Sequence, residues 1–310
     1  MTEEYPLNHE ASEKKEAIIQ ALISGLKATH ELHESLGESG TVDFQENQFG
    51  EKALTMDVQS EEKIIDELKE TNIPMNLVSE EHGQFSTGEN PLYTVSLDGL
   101  DGSGEYKGRR GESMYGAMVC VLEGDNPTYD DYVAAGVMIH SPNPNLLLAI
   151  KGQGVFSVDL STGERKQISR DNDKQFSEQA VIDLDRNWPP YRQLLDKNSS
   201  NFPSNFPNMQ CAFFSSAARL ALFVEGKIDL GLEWTRKQNL EQAVMYAFAR
   251  EVGGVMTAAS GVSIGSEKYK TFRQDIHVPL IVAPNQEMAS VASRRFNLPS
   301  LQSYTYDKIG

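Results

Sequence analysis

Ser96-Leu97-Asp98-Gly99-Leu100-Asp101-Gly102-Ser103-Gly104-Glu105-Tyr106 follows directly on the β-like run Leu92-Tyr93-Thr94-Val95. Two carboxylates stand three residues apart among three glycines. Like charges that close repel unless water solvates them or a cation lies between them. The stretch is therefore a solvated turn or half of a cation site. The calcium-loop spacing D-x-[DN]-x-[DN]-G is not met. Gly102, Gly104 and Gly108 miss the dinucleotide fingerprint by one residue.

Other acids favour the cation. Leu77-Val78-Ser79-Glu80-Glu81-His82-Gly83 ends a strand-like run with two carboxylates, and Glu51 and Asp57 lie further upstream. Strand ends in layered α/β proteins converge at one edge of a sheet, where ligands bind. Carboxylates gathered there suit a hard cation such as Mg²⁺, which shares its shell with waters and a substrate phosphate. Gly102 and Ser103 then offer N–H groups and a hydroxyl to that phosphate with little bulk in the way.

The 310 residues carry 28 Lys and Arg against 45 Asp and Glu, a formal charge of −17. This argues against nucleic acid polymers and acidic membranes as partners, but not against a small phosphorylated metabolite met through bound cations. No apolar run approaches a membrane span. The polar start MTEEYPLNHEASEKKEA reads as neither signal nor transit peptide. Cys120 and Cys211, each in an apolar segment, are expected as buried free thiols in a reducing cytoplasm.

Apolar spacing predicts a helix over 9–37 and another over 60–70. Short strand-like runs follow from Met75 to Leu160, separated by Gly, Pro, Asn and Asp. Residues 169–204 read as a polar connection, with a glycosylation-type sequon at Asn198. An alternation then follows: helix 216–225, strand 228–234, helix 240–251, strands 255–258 and 278–283, helix 286–296. A strand-rich first half and an αβα second half predict two layered subdomains with a boundary near 165–180.

The combination resembles the lithium-sensitive, magnesium-dependent phosphomonoesterases: inositol monophosphatase, fructose-1,6-bisphosphatase and the 3'(2'),5'-bisphosphate nucleotidases. Their signature D-P-[IL]-D-G-[ST] reads here Asp98-Gly99-Leu100-Asp101-Gly102-Ser103, after Glu80-Glu81 and before Glu251-Val252-Gly253-Gly254. Lys151-Gly152-Gln153-Gly154-Val155-Phe156 resembles the family's KGxGxF strand turn. The resemblance spans roughly residues 45 to 290. It implies an α/β, layered αβαβα fold, with residues 1–170 carrying the metal site and 171–310 the substrate contacts. It also implies a homodimer, and hydrolysis by a water that two or three Mg²⁺ ions activate.

Position by position, it implies metal ligation by Glu80, Asp98, Asp101 and the Leu100 carbonyl. Asp57 with the Ser103 hydroxyl would orient the attacking water, and Glu51 resembles an accessory acid of the fructose bisphosphatase branch. Glu241, ten residues before Glu251, stands where most members have an Asp preceded by Trp, and here follows Leu240. Gly102 and Ser103 would hold the phosphate. Ser216 and Ala217, in a motif resembling [GS]-[ST]-A-A, and Glu233 would meet the alcohol part of the substrate. Ser216 has a second reading as a helix cap, and Glu233 as a solvated acid.

Gly99 in place of the signature proline is a departure expected to loosen the loop. The segment Gly104-Glu105-Tyr106 to Arg109-Arg110-Gly111-Glu112 has the length of the nucleotidase pattern, with Gly104 where that pattern has Lys. Arg109 or Arg110 is placed to clamp a second phosphate. The substrate reading therefore leans to 3'(2'),5'-bisphosphate nucleotides, with inositol 1-phosphate or fructose 1,6-bisphosphate as alternatives. A phosphate-binding regulatory homologue without turnover is the alternative of another class. His140 is read as structural, and Trp234-Thr235-Arg236-Lys237 as pocket-lining.

Overall fold

The computed structural model describes residues 5–177, 179–184, 210–212, 214–235, 239–272 and 278–298. Helix α1 (Tyr5–Leu36) buries Ile18, Ile19, Leu22, Ile23 and Leu26 on one stripe, following the helical period of its apolar residues. It packs on α2 (Thr55–Glu70), which buries Ile64, Ile65 and Leu68. A hairpin of β1 (Asp43–Glu46) and β2 (Lys52–Leu54) leads into α2.

Both helices cover one face of a large sheet. Its strands are β3 (Met75–Ser79), β4 (Gly83–Ser86), β5 (Tyr93–Asp101), β6 (Tyr115–Glu123), β7 (Tyr132–Ser141), β8 (Asn145–Ile150), β9 (Gly154–Val158) and β10 (Arg165–Ile168). Their order is β10-β9-β8-β7-β6-β5-β3-β4, antiparallel except between β3 and β5. The short helix α3 (Ser103–Arg109) follows β5. A second sheet has the order β12 (Gln210–Ala212), β11 (Val181–Leu184), β13 (Leu230–Trp234), β15 (Pro279–Ala283), β14 (Val255–Ala258). Helices α4 (Ser216–Val224) and α5 (Leu240–Glu251) lie between the sheets, and α6 (Gln286–Arg295) closes the far side.

Period-two alternation assigns each strand face to a layer. On β6, Ala117, Val119 and Val121 pack toward α1 and α2, while Met118, Cys120 and Leu122 join the core around α4 and α5. On β15, Leu280 and Val282 face that central core, while Ile281 and Ala283 meet Met288, Ala289 and Ala292 of α6. The fold is the layered αβαβα arrangement the resemblance implies.

Three differences from the sequence reading have local causes. Helix α2 begins at Thr55, five residues before the expected start, because the Asp57 carboxylate accepts from the Leu54 N–H at 2.5 Å and anchors the first turn. Strand β11 lies inside the stretch read as a polar connection; three of its four residues, Ile182 to Leu184, pair in parallel with β13, and burial rather than length makes them a strand. Strand β10 extends the first sheet to Ile168. The Asn198 sequon, the Cys211 side chain and Arg236-Lys237 lie outside the described residues. Cys120 is a buried free thiol. No described helix is long and apolar enough to cross a membrane.

The KGxGxF turn and the E-x-G-G motif, 100 residues apart in the chain, meet. The Gly152 and Gly154 N–H groups donate to the two oxygens of Glu251 at 2.9 and 2.8 Å, and the Tyr132 hydroxyl donates to the same carboxylate. At the other end of α5, the Ser96 hydroxyl donates to the Leu240 carbonyl at 2.6 Å. The helix is thus tied to the large sheet at both ends, and Glu241, in its first turn, is held over β5.

Candidate active site

Asp98 and Asp101 sit on β5 itself. On a regular strand, residues three apart point to opposite faces. Here Asp98 faces Met118 and Asp101 faces Gly116, so two residues of β5 (Gly99 and Leu100) oppose one of β6. This β-bulge returns Asp101 to the face of Asp98. The Leu100 N–H donates to Asp98 Oδ1 at 2.9 Å, and the Ala217 N–H, in the first turn of α4, donates to Asp101 Oδ2 at 2.6 Å.

Glu241 completes the group. Oxygens of Asp98, Asp101 and Glu241 lie within 4.8 Å of one another, and the three residues are 6%, 8% and 3% exposed. Positive charge stabilises three buried carboxylates gathered that closely, and an all-oxygen donor set suits a hard divalent cation. They open onto a cavity of about 590 Å³ that Asp57, Glu80, Leu100, Gly102, Ser103 and Arg109 also line.

Glu80 is placed by a residue the sequence reading passed over. Glu61 of α2 is fully buried and takes hydrogen bonds from the Ser79 hydroxyl, the Glu80 N–H (3.0 Å), the Glu81 N–H (3.1 Å) and His82 Nδ1 (2.8 Å). One carboxylate thus gathers the whole Ser79–His82 strand end. Burial raises the Glu61 pKa. Burial, and then the charges of Glu80, Glu61 and Asp57, push Glu81 up to about 8. The hydrogen bond to Glu61 raises His82. Glu61 lies four residues beyond Asp57, one helical turn along the same face; that spacing was the available signal.

Gly99 does not loosen the loop. A Cβ there would lie 2.4 Å from the Asp57 carbonyl oxygen and 2.9 Å from the Glu61 N–H nitrogen. The first turn of α2 rests directly on the bulge, and only a residue without a side chain lets it. Gly99→Ala is expected to destabilise the fold by about 1–3 kcal/mol through this overlap, and to lower kcat by displacing Asp57. Gly99→Pro, which restores the signature residue, is expected to act in the same direction. Chemical denaturation and initial rates check both; wild-type values in Gly99→Ala would show that the contact is not limiting. Gly102, at φ +94°, initiates α3, and a Cβ there would meet Tyr115 Cβ at 2.8 Å and Ser215 Cβ at 3.1 Å.

The remaining expected residues divide. Ser216 lines the cavity, and its hydroxyl lies 2.7 Å from Glu241 Oε2 and 3.2 Å from Glu233 Oε2. The cap of α4 is Ser215, whose Oγ accepts from the Ala218 N–H at 3.3 Å, one residue before the position read as the cap. Ala217 and Glu233 are not on the cavity wall. Glu233 is fully buried on β13 and paired with the Arg219 guanidinium, which also pairs with Asp183, so it is not a solvated acid. Glu51 and Arg109 line the cavity, whereas Arg110 lies against Gly37 at the end of α1. A side chain at Gly104 would meet open space. The sequence reading did not single out Asn47, Lys52 or Phe214, which also line the cavity; they come from the hairpin and a loop, without motif spacing. His140 lies outside it.

The fold and the site together define a layered αβαβα protein whose buried carboxylates Asp98, Asp101 and Glu241 converge on one cavity. A model of the inositol monophosphatase family matches residues 10–297, and the chain belongs to that family, whose members are metal-dependent phosphatases. Among curated proteins, the class 1 fructose-1,6-bisphosphatase of Halorhodospira halophila is 31% identical over 182 residues, covering 52% of this chain and 53% of that protein. The chain spans about half the length of the curated relatives it matches. Among solved structures, the extragenic suppressor protein suhB of Bartonella henselae superposes with a TM-score of 0.69 at 18% identity, covering 90% of this chain and 98% of that one. The holo form of Leishmania major fructose-1,6-bisphosphatase gives 0.67 at 18%, covering 90% and 93%. These two likenesses establish the fold.

Proposed function

We propose that this protein is a Mg²⁺-dependent phosphomonoesterase that releases phosphate from a small bisphosphorylated metabolite. The observation that carries the proposal is the convergence of buried Asp98, Asp101 and Glu241 on a cavity shared with Asp57, Ser103 and Arg109. In this reading Glu80, Asp98, Asp101, Glu241 and the Leu100 carbonyl hold two or three Mg²⁺ ions. Bound there, Mg²⁺ supplies Lewis-acid polarisation of the phosphate and a lowered pKa for water. The chain's own groups do the rest. Asp57, fixed at the start of α2, and the Ser103 hydroxyl orient the attacking water. Gly102 and Ser103 seat the reacting phosphate, and Ser216 holds Glu241 in place. Arg109 takes a second phosphate at the cavity mouth, and Glu51 stands by as an accessory acid. The metal-bearing residues fall within 1–170 except Glu241, so the division at residue 170 joins at α5.

Within the bisphosphates, we place fructose 1,6-bisphosphate first. The curated relatives matched are fructose-1,6-bisphosphatases, and the cavity wall is predominantly polar, as a sugar requires. A 3'(2'),5'-bisphosphate nucleotide is the second reading, favoured by Phe214, a cavity residue 41% exposed whose ring offers a base a stacking face.

Phosphate release from fructose 1,6-bisphosphate, adenosine 3',5'-bisphosphate and inositol 1-phosphate, with and without Mg²⁺ and Li⁺, tests this. Mg²⁺-dependent release from a bisphosphate, reduced in Arg109→Ala mainly through KM, is expected. No release from any of the three at millimolar Mg²⁺ would favour the regulatory homologue. Release from inositol 1-phosphate alone would move the substrate class and leave the chemistry.

A further inference from the structure

A second group of metal-ligating side chains lies behind the phosphate-facing loop. His30 and His33 on α1 and His140 on β7 place nitrogens within 4.8 Å of one another. Ring centroids are 4.9 Å apart for His33 and His140, 5.8 Å for His30 and His140, and 6.0 Å for His30 and His33. His140 is 2% exposed, and neither of its ring nitrogens has a hydrogen-bond partner; the buried Nδ1 of His30 has none either. An unmatched buried polar atom is destabilising. A neutral imidazole carries one N–H and one lone pair, so His140 and His30 can each offer one unengaged lone pair to a ligand that accepts it.

The protonation pattern agrees. His33 Nδ1 lies 3.0 Å from Glu34 Oε1; a carboxylate only accepts, so the proton sits on Nδ1 and the lone pair on Nε2, which faces the Tyr115 hydroxyl at 2.9 Å. A carboxylate fixing the outer nitrogen is the usual arrangement behind a metal-ligating histidine. Burial lowers the pKa of all three histidines, His140 most, so protons do not occupy the lone pairs at neutral pH. Glu31 and Glu34 add negative charge beside His30, while Arg110 adds positive charge beside His33.

We propose that His30, His33 and His140 form a second cation site, selective for a borderline transition ion of the zinc class and distinct from the carboxylate site. Imidazole nitrogens suit Zn²⁺, Co²⁺ or Ni²⁺, whereas Mg²⁺ prefers oxygen. Three histidines leave a fourth position for water or the Tyr115 hydroxyl. The rings lie within 13° of parallel, so binding turns them about χ2, a soft torsion for histidine.

The test uses Co²⁺ as an optical probe and Zn²⁺ as competitor on the full chain. An Asp98→Asn/Asp101→Asn background removes the carboxylate site. One equivalent of Co²⁺ is expected to bind with the intense visible absorption of nitrogen-ligated, four-coordinate cobalt, and Zn²⁺ is expected to displace it. His30→Gln and His33→Gln in that background are expected to weaken binding roughly tenfold or more. His140→Gln should abolish it if the variant folds; His30, at the rim of the cluster, carries the test if it does not. Absence of saturable Co²⁺ and Zn²⁺ binding would overturn the proposal and leave buried water as the partner of His140. Equal affinity in His30→Gln and His33→Gln would overturn it as well.

Discussion

Asp98→Asn and Asp101→Asn, made separately, are expected to lower Mg²⁺-dependent phosphate release by roughly 10²–10⁴-fold, the range found when one charged or proton-handling group of a catalytic site is removed. Asparagine keeps the shape and an acceptor oxygen at each place, so the Leu100 N–H and the Ala217 N–H keep their partners. What is lost is one negative charge among three. The metal-free variants should therefore melt no lower than the metal-free parent, because removing a like charge relieves repulsion between buried carboxylates. The opposing signs are the discriminating feature. Activity within a few-fold of wild type in either variant would refute the site assignment. Loss of activity together with a collapse of melting temperature would mean that the carboxylates serve the fold rather than the chemistry.

In the metal-free protein, melting temperature is expected to fall as pH rises from about 6.5 to 8.5, and saturating Mg²⁺ is expected to flatten that decline. Glu81 is pushed up to about 8 by burial and by Glu80, Glu61 and Asp57, while an unfolded glutamate titrates near 4.5. The folded state therefore binds the extra proton. The stability belonging to Glu81 is complete below the unfolded value and is lost as pH rises through the folded one. His82, raised chiefly by its hydrogen bond to Glu61, has the same sign above its ordinary range. The cluster at His30, His33 and His140 has the opposite sign, because burial lowers those groups. Their effect is confined to lower pH, and the chosen window avoids it. Calorimetry in chelator and in Mg²⁺ across that window measures the difference. A metal-free melting temperature that holds level or climbs from pH 6.5 to 8.5 would contradict the electrostatic account of the strand end.

That acids meet at the cavity was legible because most of them are local in the sequence. Asp98, Asp101, Gly102 and Ser103 fall within six residues, and the Glu80-Glu81 pair ends the neighbouring strand. Glu241 was reached only by its distance from Glu251, and its place over β5 depends on ties at Leu240 and Glu251 that no spacing encodes. Glu61 escaped notice because a glutamate on an amphipathic helix ordinarily faces water; here the Ser79–His82 strand end closes over it. Glu233 was expected at the substrate, yet the sequence does not show that Arg219, 14 residues earlier on α4, turns it inward.

The order of apolar runs, glycines and carboxylates in this chain determines a layered α/β protein with acids at a sheet edge, since helix and strand periods and strand-end acids are properties of neighbouring residues. Tertiary structure alone decided which acids meet. A single extra residue in β5 opposite β6 turns Asp101 to the side of Asp98, and Gly99 lets α2 rest on that bulge with Asp57 and Glu61 in reach. Registers and close approaches of this kind arise between separate elements of the fold, not within one stretch of sequence. They are set by which packing buries the most apolar surface while leaving the fewest polar groups unmatched.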